Sequence, residues 1–134
     1  MKKVIIASLL LITLASCEFN YIEPRYDYRD RVTGSYDVEE YSETFNDYHY
    51  YAIHITKYSS GRTVYLNNFY DADLSVYAYL DGDKLTIPLQ TVDGFEIEGV
   101  GTLHSSDMSL NYRVKDLYSD TRTDFCETWG DRDY

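Results

Sequence analysis

Apolar and polar side chains alternate with a period of two along most of this chain, the spacing of half-buried β-strands rather than of helices. Tyr36 and Val38 begin the pattern. Tyr51, Ile53 and Ile55 mark a second run, and Val64 and Leu66 a third. Leu74, Val76, Ala78 and Leu80 alternate without interruption, and Leu85, Ile87 and Leu89 follow. Phe95, Ile97, Gly99, Gly101 and Leu103 share one parity, as do Met108, Leu110, Tyr112 and Val114. The eighth run, from Thr121 to Thr128, is the weakest and sets Thr123 and Phe125 on one face. Asp81-Gly82 and Asp93-Gly94 are hairpin-turn pairs, and Ser105-Ser106-Asp107 turns the chain again. No stretch carries a long amphipathic helix pattern. The pattern predicts an all-β fold, an antiparallel up-and-down meander of about eight strands. A meander of that length removes its edges by closing into a small barrel. A β-sandwich is the alternative. Eight strands enclose an interior that side chains fill or that one small ligand occupies.

The chain before Gly34 has a different character. Lys2 and Lys3 precede an apolar run, Val4 to Leu14, which ends in Leu14-Ala15-Ser16-Cys17. A charged start, a short apolar stretch and small residues before a cut site describe a secretory signal. The run is too short to cross a bilayer as a stable helix. Leu14-Ala15-Ser16-Cys17 resembles the lipobox of bacterial lipoproteins. The resemblance implies cleavage before Cys17, a diacylglycerol on its sulfur and an acyl chain on its new amino group. Multiple acyl chains anchor firmly where one is marginal. The domains expected are a signal peptide over 1–16, a lipidated tether over 17–33 and a β-barrel over 34–134. Glu18 follows the cysteine, and the tether is charged, with Pro24 and four aromatics.

Together, the lipobox, the acidic tether and a Tyr-rich barrel resemble the small lipocalin-like lipoproteins of Bacteroidota. Gly34-Ser35-Tyr36 stands where lipocalins often open with Gly-x-Trp, and no ligand residues carry over. The resemblance implies a place in the cell envelope, at the outer membrane, reached through lipid on Cys17.

The formal charge is −11, and cleavage of the leader removes two further positive charges. Nucleic acid is excluded as a partner class, since phosphate binding needs clustered Lys and Arg. The acid is spread along the chain, as on a soluble surface. Once Cys17 is acylated, Cys126 has no partner in the chain and reads as a small buried hydrophobe.

His49, His54 and His104 show no metal-ligand spacing, and the first two fall on opposite faces of a regular strand. No metal or other cofactor is implied. Asp71-Ala72-Asp73, Asp81-Gly82-Asp83 and Asp131-Arg132-Asp133 read as turn chemistry, without the twelve-residue loop of a calcium hand. Gly-x-Ser-x-Gly, Ser-x-x-Lys and Gly-rich phosphate loops are absent from the sequence, so a non-enzyme is expected. Gly99 and Gly101 read as sites of strand coiling, with room for a ligand as the alternative.

Outward parity gathers Tyr65, Tyr77 and Tyr79 with Tyr50 on three consecutive strands, an expected interaction surface for an envelope protein or a glycan. Cross-strand stiffening is the competing reading. Two functions follow for a lipid-anchored envelope protein: a binding or accessory module using its outer face, or a lipocalin-like carrier of a small apolar ligand. An enzyme ranks third.

Overall fold

The computed structural model describes residues 26–59, 61–119 and 122–134. Cys17, the leader and the first part of the tether lie outside the described residues. Eight strands run β1 Gly34–Ser42, β2 Asp47–Lys57, β3 Thr63–Phe69, β4 Leu74–Asp81, β5 Lys84–Val92, β6 Phe95–Leu103, β7 Asp107–Asp116 and β8 Thr123–Arg132. Each pairs antiparallel with the next, and β8 returns to β1, so the sheet closes into an up-and-down barrel. This is the closed up-and-down barrel that the alternation predicts, and not the sandwich.

Inward parity carries the core. Tyr36, Ile53, Leu66, Val76, Ala78, Leu80, Ile97 and Leu103 are all fully buried. Polar and charged residues run through the outward positions of the same strands, as at Asp37, Glu39, His54 and Ser75, with tyrosines between them. This is the reverse of a membrane-spanning barrel, whose outer face is an apolar band. Among the described residues, no helix is long and apolar enough to cross a membrane.

Turn residues set the hairpins. Asp93 and Gly94 both take positive φ (48° and 83°), as a two-residue type I′ turn requires. Asp71 and Asp73 also adopt left-handed backbone, so this acidic pair serves a turn. Gly99 and Gly101 belong to strand coiling: a Cβ on either would drive into backbone of β7, at Asn111 and Ser109 respectively.

Two seams are short. The β2–β3 ladder covers only four residue pairs, His54–Lys57 with Val64–Asn67, and β4–β5 only three. Side-chain amides bridge where backbone pairing stops. Asn68 Nδ2 donates to the Ala52 carbonyl at 2.9 Å. Gln90 donates to the Tyr77 carbonyl at 2.8 Å and accepts from the Tyr77 N–H at 3.2 Å. Gln90 reaches inward because a register shift between Ile87 and Gln90 adds a residue at Pro88-Leu89. Leu89, expected inside by parity, is therefore exposed at 57%.

One end of the barrel is closed by a single 3-10 turn, Tyr28–Arg31, capped by Asp27. Arg29 is buried there. It pairs with Asp27 at 2.7 Å and donates to the carbonyls of Tyr58, Ser59 and Thr63 at 2.8–3.0 Å. Val32 is fully buried, and Tyr28 donates from its hydroxyl to Leu80 O. Residues 27–33, assigned to the tether by sequence, thus belong to the barrel. One helical turn is too short to show a period, and its buried member is an arginine.

Candidate functional site

The outer tyrosines divide into two places. Tyr65 and Tyr77 stand directly opposite each other on β3 and β4. Tyr58 packs on Tyr65 with ring centroids 5.0 Å apart, and Tyr77 on Tyr79 at 6.0 Å. Tyr65 and Tyr77 are half-buried by these contacts, while Tyr79 keeps 45% exposure. This group is partly consumed in stiffening the sheet across one of its short seams.

Tyr50 is not part of that group. It lies six residues along β2 from Thr56, the partner of Tyr65, which is about 20 Å of strand. The four tyrosines therefore do not make one patch. Tyr50 is 72% exposed and instead faces the β1 side.

There it enters a groove of about 790 Å³ across β2, β1, β8 and β7. Register builds this groove in two rows. Tyr50, Glu39, Trp129 and Ser109 stand opposite one another in the first, and Ala52, Asp37, Asp131 and Asp107 in the second. Val38, Met108 and Gly130 form the floor. No Lys or Arg lines the groove among the described residues. Asp107 accepts from His104 Nδ1 at 2.9 Å and from Ser106, and the histidine hydrogen bond above all holds its carboxyl below the usual carboxylate range. Asp37, Glu39 and Asp131 have no ion-pair partner among the described residues.

A second exposed concavity, about 570 Å³, lies over β5–β8 and exposes Leu89, Val100 and Phe125.

The barrel interior holds a polar cluster that the sequence reading missed, beneath the end opposite the 3-10 turn. Glu40 and Asp124 are buried at 1% and 3% exposure. Glu40 Oε2 accepts from Tyr51 at 2.6 Å, from Thr128 at 3.1 Å and from Tyr112. Asp124 accepts from Ser42 and, at 2.6 Å, from Tyr70. Cys126 sits between them, unpaired and buried. No buried side-chain polar atom lacks a partner among the described residues.

Burial pushes the Tyr51, Tyr70 and Tyr112 hydroxyls up, and the neighbouring carboxylates push the same way. Burial likewise raises the Cys126 thiol, with Glu40 and Asp124 adding to it. A thiol held neutral is a poor nucleophile, and the phenols are held as donors. The cluster is arranged to fasten β1, β7 and β8 together. The hollow above it, lined by Tyr70, Phe95, Asp124 and Arg122, measures about 210 Å³.

The signal for this cluster was in the alternation itself. Glu40 and Ser42 share the parity of Tyr36 and Val38, and Asp124 shares that of Cys126 and Thr128.

The histidines are dispersed. His49 lies 3.6 Å from Asp47, His54 meets Ser35, and His104 meets Asp107. Among the described residues, no three His, Cys, Asp or Glu groups converge as metal ligands do.

Comparison of the chain with protein-family models and with curated proteins finds no match.

Proposed function

We propose that this chain is a lipid-anchored, non-enzymatic binding module of the cell envelope, at the outer membrane, tethered through Cys17. The barrel is its rigid scaffold and the outer face its working surface. The observation that carries the binding role is the groove holding Tyr50 and Trp129, a concave exterior site with two large exposed aromatic rings. Aromatic side chains supply contact area at low entropic cost and are enriched where proteins meet partners. The anchor rests on Lys2-Lys3, the apolar run and Leu14-Ala15-Ser16-Cys17.

The packing of the interior weighs against the carrier alternative. The side chains facing inward pack into one buried core, and the hollow at the mouth, about 210 Å³, is smaller than the roughly 300–1,000 Å³ of typical ligand pockets. The non-enzymatic part is supported by a polar cluster whose acids are all engaged by hydroxyls and whose thiol is held neutral.

The test of the anchor is intact mass on the membrane fraction, wild type against Cys17→Ser. A chain from Cys17 to Tyr134 carrying diacylglycerol and one acyl group is expected, with the variant unlipidated and uncleaved. An unlipidated wild-type chain in the soluble fraction would overturn it.

A further inference from the structure

We propose that the Tyr50–Trp129 groove takes an extended, cationic segment of a protein partner, with arginine or lysine side chains laid on the two rings and paired with the groove carboxylates. The inference rests on the binding-module reading and names its ligand class.

The geometry has three parts. Trp129 and Tyr50 flank Glu39 in one row of directly opposed residues. Neighbours in such a row stand about 5 Å apart, so a cation over the Trp129 ring is also within reach of Glu39. Asp131 lies two residues along the same face of β8, about 7 Å away. A guanidinium prefers this pairing of an aromatic face with a carboxylate edge.

The second row opposes three aspartates, Asp37, Asp131 and Asp107, on adjacent strands. Like charges directly opposite one another destabilise a sheet. With Glu39 they make four carboxylates and no Lys or Arg among the described lining residues; Asp107 is held by His104, which leaves Asp37, Glu39 and Asp131 without an ion-pair partner among the described residues. Three carboxylates set side by side with no ion-pair partner among the described residues are complementary to positive charge from outside. A second copy of this chain is a poor occupant, because each copy carries a formal charge of −11. A neutral glycan would use the rings but would leave the charges of Asp37, Glu39 and Asp131 unanswered.

Trp129 is the only tryptophan in the chain, so intrinsic fluorescence reports on the groove directly. The full-length protein, solubilised in detergent, is titrated with an (Arg-Ser)4 peptide, with a Gly-Ser peptide of equal length, and with neutral hexasaccharides of glucose and N-acetylglucosamine. The expectation is a saturable change in Trp129 emission with the arginine peptide alone. Its affinity should fall severalfold between 50 and 300 mM salt. Glu39→Gln with Asp131→Asn should weaken binding at least tenfold, and Tyr50→Ser should weaken it too. Asp71→Asn with Asp73→Asn, in the β3–β4 turn away from the groove, should leave it unchanged.

The amide variants should keep or raise the thermal midpoint, since they remove repulsion; a fall would make these carboxylates structural and overturn the inference. Binding unaffected by the groove variants would also overturn it. A salt-independent response to a hexasaccharide alone would overturn the cationic ligand while leaving the binding module standing. If no ligand moves Trp129, the groove is not a binding site and both readings lose their surface.

Discussion

Gln90 does the work of a missing stretch of strand. Its side-chain amide supplies both a donor and an acceptor to the backbone of Tyr77, where β4 and β5 have diverged. Replacing it with leucine keeps the volume and strands a buried N–H and C=O. The expected cost is about 1–3 kcal/mol, read as a lowered urea midpoint with an unchanged slope. An unchanged midpoint would mean that water replaces the amide at no cost. Cys126 makes a second residue-scale case. Its thiol is buried and its ionisation suppressed by burial and by the two neighbouring carboxylates. A thiol reagent at pH 8 should modify it in the native protein orders of magnitude more slowly than in urea. Equal rates in the two would place the thiol in contact with solvent.

At the scale of elements, the 3-10 turn and Arg29 act as a plug. The guanidinium ties Asp27 to the carbonyls of Tyr58 and Ser59 in the β2–β3 connection and of Thr63 at the start of β3. Arg29→Ala removes every one of these bonds, at a cost of about 2 kcal/mol. The loss should appear first as faster amide exchange over residues 57–63, ahead of the rest of the barrel. Uniform acceleration across all strands would contradict a local role.

The strands themselves were legible in the sequence because burial of one face imposes period two, as at Leu74 to Leu80. The pattern failed where something other than apolar burial decided which face turned inward. In β8, Asp124, Cys126 and Thr128 point in and Phe125 and Trp129 point out. There the interior is polar, and hydroxyl partners from other strands compensate the buried acids. In β5, the extra residue at Pro88-Leu89 resets the parity. The candidate surface was half legible. Outward parity found Tyr50, but only the barrel register sets it beside Trp129 rather than Tyr65, since β1 and β8 meet only when the sheet closes. The plug was illegible, because one turn built around a buried arginine has no apolar signature.

For the whole molecule, the ionisable groups of the interior set how stability depends on pH. The Tyr36, Tyr51, Tyr70 and Tyr112 hydroxyls and the Cys126 thiol are all pushed above their ordinary values, burial being the largest cause for each. In the unfolded chain a thiol loses its proton near pH 8.5 and a tyrosine near pH 10. Above those values the unfolded state binds fewer protons than the folded one, so stability falls as pH rises. The contribution is intact below about pH 8.5. Each group removes up to about 1.4 kcal/mol per pH unit, so Tyr51 and Tyr112 alone remove about 3. Against a total stability of roughly 5–15 kcal/mol, the barrel should unfold cooperatively within a few units above pH 10.

The acid side runs the other way. The Asp27 carboxyl is held low, chiefly by its hydrogen bonds from the Arg29 side chain, and Asp107 is held low chiefly by His104. Their stabilisation is present above about pH 4 and is lost as pH falls through their folded values. Tyrosinate absorbance at 295 nm and far-UV circular dichroism, followed together at rising pH, test the alkaline limb. The exposed members of the sixteen tyrosines should ionise smoothly near pH 10. A second set should ionise steeply, coincident with loss of the β signal. Tyr51→Phe should lower stability at pH 7 by about 1 kcal/mol, the worth of one hydrogen bond, and make the alkaline fall shallower. A single smooth titration of all the tyrosines with the β signal intact would show that the Glu40 cluster is open to hydroxide, and that the interior is not the closed core on which the exterior reading of this protein depends.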